Sequence, residues 1–175
     1  MIQTVFSALC LALLGGCGDM SSVFKGPSQD LSTFEAGTIP LPSPIDTLLP
    51  ARLRVHPFSA IKMLDAKSGY GLDVRVEALD AFDDTTKAFG SFRFELYSYI
   101  AGTTDPKGGR LITWEVPLGD PKVNMVHWQK MDRNYRFRLQ WGGGVAPGQR
   151  YVLVVIYTSP YTKRIEVEHQ LVVNK

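Results

Sequence analysis

The chain has 175 residues, 45% of them hydrophobic and 21% charged, an ordinary composition for one globular domain that can build its core without metals or disulfides. Nineteen Lys plus Arg stand against seventeen Asp plus Glu, a net charge of +2 with the signs interspersed. There is no Lys/Arg-rich run and no RNP-like or helix-turn-helix pattern, so no nucleic-acid partner is expected.

In chain order the first element is an apolar run from Val5 to Leu14 that ends on Leu14-Gly15-Gly16-Cys17. A membrane-spanning helix needs roughly 20 apolar residues to cross about 30 Å of hydrocarbon, so the run is too short to span but suits the core of a signal peptide. Small residues before the cysteine let a processing peptidase approach the backbone, and a thiol can carry a lipid through sulfur. The motif resembles the lipobox of bacterial lipoproteins. It departs from their usual pattern in that Met1-Ile2-Gln3-Thr4 carries no Lys or Arg, which points to an upstream start or an atypical signal. The resemblance implies that residues 1–16 are a signal peptide, that Cys10 is discarded with it, and that Cys17 becomes the first mature residue, carrying palmitate and related acyl chains. The protein would then be anchored to a membrane, not threaded through it. Gly18, where sorting to the inner membrane favours Asp, implies the outer membrane facing the periplasm.

Residues 17–50 read as a tether. Pro27, Pro40, Pro42, Pro44 and Pro50 are spaced among Ser, Gly and Thr with no helical or alternating period, and proline favours extended polyproline geometry. Phe24, Phe34, Ile39 and Leu41 are apolar residues that a purely solvated tether does not need, so part of the segment is expected to lie against the domain.

From Ala51 the pattern changes to alternation with period two, the signature of half-buried strands. Leu53 and Val55 alternate with Arg52 and Arg54; Leu72, Val74, Val76 and Ala78 with Asp73, Arg75 and Glu77; Phe92, Phe94 and Leu96 with Arg93 and Glu95. Residues 111–116 and, more weakly, 123–128 continue the series. Tyr135, Phe137, Leu139 and Trp141 follow, then Tyr151, Leu153, Val155 and Tyr157, and Ile165, Val167, His169, Leu171 and Val173 close it. Residues 59–65 predict one short helical turn. Seven or eight short strands separated by turn clusters such as Asp105-Pro106-Lys107-Gly108-Gly109 predict an all-β domain over 51–175, an antiparallel sandwich.

Val145-Ala146-Pro147-Gly148-Gln149-Arg150-Tyr151, followed by Val152-Leu153-Val154-Val155, resembles the corner before the sixth strand of fibronectin type III and related immunoglobulin-like domains. The resemblance implies an immunoglobulin-like strand order with Tyr151 as a structural corner tyrosine, its hydroxyl bonded back to the turn and Val145 as its apolar partner. The strand 72–79 lacks the tryptophan of the fibronectin pattern. A competing topology comes from charge: a hairpin with residue numbers summing to 170 would oppose Arg75 to Glu95 and Glu77 to Arg93. Such pairs contribute only a few tenths of a kcal/mol each and cannot overrule the fold, so on the corner motif the immunoglobulin-like order, with Val74 and Val76 meeting Phe92 and Phe94 across the core, is preferred.

Chemistry-bearing motifs are few. His56, His127 and His169 are the three histidines, none at metal-ligand spacing, and no Gly-x-Ser-x-Gly elbow, Ser-x-x-Lys or phosphate loop is present. Gly142-Gly143-Gly144 lacks the following Lys and reads as a flexible connection. No catalytic residue and no cofactor is assigned. Asp80, Asp83 and Asp84 place three carboxylates in one loop, raw material for calcium, although such loops more often cap turns. Tyr97 and Tyr99 fall on the polar face of their strand and are the candidate binding residues; Trp114, Trp128 and Tyr161 lie in segments of unfixed facing. The expected function is a non-enzymatic, lipid-anchored cell-envelope module that binds another envelope protein. The alternatives are a carbohydrate- or peptidoglycan-binding module, for which Tyr97 and Tyr99 would form a flat platform, and an envelope hydrolase, for which acids would gather with His127 or His56 in a pocket.

Overall fold

The structure, a computed structural model, describes residues 36–66 and 69–173. Among the described residues nine strands form two antiparallel sheets. β1 (Arg52–Val55) and β2 (Ala60–Asp65) lie end to end along one side of β3 (Gly69–Leu79), whose other side pairs with β7 (Asn134–Gln140), and β6 (Trp128–Gln129) pairs with β7. The second sheet runs β5 (Lys107–Pro117), β4 (Ser91–Tyr99), β8 (Arg150–Thr158), β9 (Ile165–Val172). β3 and β4 therefore sit in opposite sheets, the immunoglobulin-like order, and the charge-matched hairpin does not form. Arg75 instead faces Asp132, and Glu77 is paired with Arg54 of β1.

Alternation places Leu72, Val74, Val76 and Ala78 of β3 against Phe92, Phe94 and Leu96 of β4, and all seven are fully buried. Phe92 is the hub, with its ring 5.8 Å from Tyr135, 5.3 Å from Phe137 and 5.1 Å from Tyr157. Offset and tilted aromatic packing of this kind adds to the burial of large apolar area. Trp114, half-buried on β5, donates its indole N–H to the Gln140 carbonyl of β7 at 2.7 Å, closing one open side between the sheets.

Two segments differ from their sequence reading. Residues 60–65 are strand β2, not a helical turn: Ile61 and Leu64 have helical spacing, but a register shift between Met63 and Asp65 lets both point inward from a strand. Residues 121–127 are helix α1 (Pro121–His127), not a weak strand. Asp120 caps it by accepting from the Lys122 N–H, and Pro121 occupies the first turn, where its missing N–H costs nothing.

The segment before β1 is attached to the domain. Gly37 N–H donates to the Ser159 carbonyl at 3.0 Å and Ile39 N–H to the Pro160 carbonyl at 2.8 Å. A 3-10 turn (Ile45–Leu48) then crosses to the β3–β4 loop, where Ala81 N–H reaches the Thr47 carbonyl. Of the region read as tether, residues 37–50 thus belong to the folded body. Cys17, the expected site of lipidation, lies outside the described residues, as does Cys10.

Candidate functional site

The outer face of the β5-β4-β8-β9 sheet is concave and forms a depression of about 600 Å³. Its shape follows from the strands. Register shifts between Leu96, Tyr97 and Tyr99 interrupt the β4–β5 ladder near the start of β5, the kind of irregularity at which a strand bends. Lys107, at that start, is ion-paired with Glu168 of β9, so the two edge strands are tied across the outer surface. The floor is Val154 and Ile156 of β8, apolar on the outward face and still buried.

Alternation on β4 presents Ser91, Arg93, Glu95 and Tyr97 to this trough. Glu95 is its centre, 7% exposed, accepting from the Tyr97 hydroxyl at 2.6 Å and lying 2.8 Å from Arg93 and 3.4 Å from Arg110. Burial alone would raise the Glu95 carboxyl, but the Tyr97 bond and the two arginines outweigh it and hold the group below the ordinary glutamate range. The same hydrogen bond pushes the Tyr97 phenol up. Arg164 and Glu166 pair at 2.7 Å on the β9 side, and Ser91 donates to Glu115 at 3.2 Å on the β5 side. Four cations and four carboxylates thus face one another over an apolar floor.

Tyr97 and Tyr99 are both half-buried, but they do not share a platform. Tyr97 is drawn into the trough by Glu95, whereas Tyr99 lies under the Arg150 guanidinium, 5.6 Å from its ring centre, in a separate shallow depression beside Gly148 and Gln149. The three aspartates of the β3–β4 loop are not gathered either. Asp80 is buried and accepts from the Phe82 and Asp84 amides at 2.9 and 3.1 Å, as a turn-capping carboxylate does, while Asp83 is paired with Arg52. Among the described residues no three His, Cys, Asp or Glu side chains converge to hold a metal ion. The histidines are dispersed: His56 accepts from the Phe58 amide in the β1–β2 break, His127 stacks on Phe137 at the end of α1, and His169 lies half-buried on β9, where burial lowers its pKa.

Tyr151 opens β8 where a corner tyrosine would stand, buried and edge-on to Trp141 at 5.1 Å. The preceding turn is closed by backbone bonds, Gln149 N–H to the Ala146 carbonyl and Gly148 N–H to the Val173 carbonyl, and no hydrogen bond from the Tyr151 hydroxyl to this turn is present among the described residues. The tyrosine hydroxyls that do pin a loop are two the alternation hid. Tyr157 donates to the Phe89 carbonyl and accepts its amide, and Tyr135 accepts the Ala88 amide and donates to Asn124.

The trough's members were each readable as outward-facing strand residues, but their assembly needed the strand order. One signal was available: residues 151–157 are apolar at every position except for two tyrosine hydroxyls, which means that both faces of β8 are covered. Comparison with family models, with curated proteins and with solved structures finds no match to this chain.

Proposed function

We propose that this chain is a non-enzymatic module of the cell envelope, lipid-anchored at Cys17, that holds a segment of another envelope protein in the trough of its second sheet. The observation that carries the reading is the set of paired charges over an apolar floor. A polypeptide offers both signs of charge and apolar side chains at short spacing, and can exchange its own ion pairs for those of Arg93, Glu95, Arg164 and Glu166. A flat glycan-stacking platform would use Tyr97 and Tyr99 together, and they are separate. Anchoring to a surface raises the effective concentration of such a weakly closed site toward neighbouring partners. Between Cys17 and Gly37 lie nineteen residues, a reach of at most about 70 Å.

Two measurements test the reading together. Metabolic labelling with a palmitate analogue in a bacterial host is expected to mark the native chain and not Cys17→Ala. A photo-crosslinking residue at position 166 is expected to trap one defined protein, and the same residue at position 62, on the outer face of the other sheet, is not. Binding to a peptidoglycan or glycan array, with no protein trapped at 166, would replace the protein partner by a carbohydrate.

A further inference from the structure

The loops at the end of the sandwich where the N-terminal segment enters are bonded into one body. Thr86 donates to the Leu48 carbonyl at 2.9 Å, Arg133 of the β6–β7 turn to the Thr85 carbonyl at 3.1 Å, and Asn124 of α1 to the Ala88 carbonyl at 2.7 Å. This end carries large apolar side chains that are mostly exposed. Phe82 at the tip of the β3–β4 loop is 67% exposed and Met131 in the β6–β7 turn 96%, with Ile45 and Leu48 of the 3-10 turn also exposed. Turn tips are usually built from small or polar residues, as in residues 101–106 at the opposite end.

We propose that this end of the domain is a lipid-contact surface, with Phe82 and Met131 inserted among the headgroups of the membrane to which Cys17 is anchored. The inference rests on the lipid-anchor reading proposed above. What selects a bilayer as occupant is where the chain goes. Residues 1–35, with Cys17 among them, join the described structure at this end, so a lipid on Cys17 holds the membrane within tether reach of these tips. Lys87, Lys122, Lys130 and Arg133 stand beside them and suit phosphate headgroups. Their charge is nearly matched by Asp46, Asp83, Asp84, Asp120 and Asp132, so apolar insertion and not net charge provides the attraction. The contact therefore also forms on zwitterionic lipid.

The test uses the full lipid-modified chain in phosphatidylcholine vesicles, where the acylated Cys17 leaves an introduced cysteine as the reactive thiol. An environment-sensitive fluorophore at Phe82→Cys or Met131→Cys is expected to be quenched by bilayer-resident nitroxide lipids several-fold more than one at Thr103→Cys, on the opposite end. Equal, weak quenching at all three sites, with the protein still sedimenting with vesicles, overturns the contact and leaves the anchor standing. A chain that takes up no acyl label and does not sediment removes the anchor, and the inference with it. Because the tips are exposed, the doubly substituted Phe82→Ser, Met131→Ser chain keeps its fold. Labelled at Ile45→Cys, it is expected to lose the quenching that Ile45→Cys alone shows, and retention of that quenching also overturns the contact.

Discussion

Asp73 is 1% exposed in the middle of β3 and faces Arg136 and Lys62, each 2.5 Å from its Oδ2. Burial raises a carboxyl's pKa, yet here the hydrogen bonds and charges of Arg136 and Lys62 prevail and hold Asp73 at about 2, below its ordinary 3.8. A carboxylate whose pKa is depressed on folding contributes stability that is complete above the unfolded value and is lost as pH falls through the folded one. Stability is therefore expected to decline between about pH 4 and pH 2, by about 1–2 kcal/mol from this group after allowing for the half-exposed partners. Asp73→Asn removes that share of the decline, which denaturant titrations at pH 7, 4 and 2.5 would measure. An unchanged pH slope in the variant would mean that the pairs contribute nothing net. The sequence displayed Asp73 as one polar residue in an alternating strand, and nothing in that alternation distinguished it from Arg75. Only the strand order puts two cations beside it.

Among the elements, the lead-in to β4 is held by side chains from β7 and β8. The Tyr157 hydroxyl, whose pKa burial pushes up to about 12, satisfies both the N–H and the C=O of Phe89. Removing it leaves two backbone groups without partners, so Tyr157→Phe is expected to cost about 1–2 kcal/mol in chemical denaturation. Tyr151→Phe deletes a hydroxyl that does not hold its turn and is expected to change stability by less than about 0.5 kcal/mol. The reverse ranking would restore the corner-tyrosine role. Element type was legible wherever alternation ran unbroken, as in residues 72–78 and 92–96, because a period of two has one structural meaning. It failed at residues 60–65, where a bulge gives strand residues a helical spacing, and at 121–127, where a seven-residue helix is set by its Asp120-Pro121 start and not by any apolar period.

For the whole molecule, sandwich architecture was within reach of the sequence through its series of short alternating strands, and the placement of β3 and β4 in opposite sheets through the corner motif at residues 145–155. The extent of the folded body was legible only in part: Ile39 and Leu41 pointed to a segment lying against the domain, but the main-chain bonds of Gly37 and Ile39 that attach it are announced by no side chain. Native-state hydrogen exchange is expected to show both amides protected, below the level of β3, β4 and β8 but well above a free chain. Exchange at the unprotected rate would return the segment to the tether. The same topology has a mechanical consequence. β1 begins at the end where the N-terminal segment enters, β9 finishes at the opposite end, and the two lie side by side. A load applied between the chain's two ends pulls along the strand axes, so the cross-strand hydrogen bonds of β1 with β3 and of β8 with β9 are stressed in shear, many at once, and not peeled open in turn. A domain wired this way resists tension far better than one whose terminal strands peel away bond by bond.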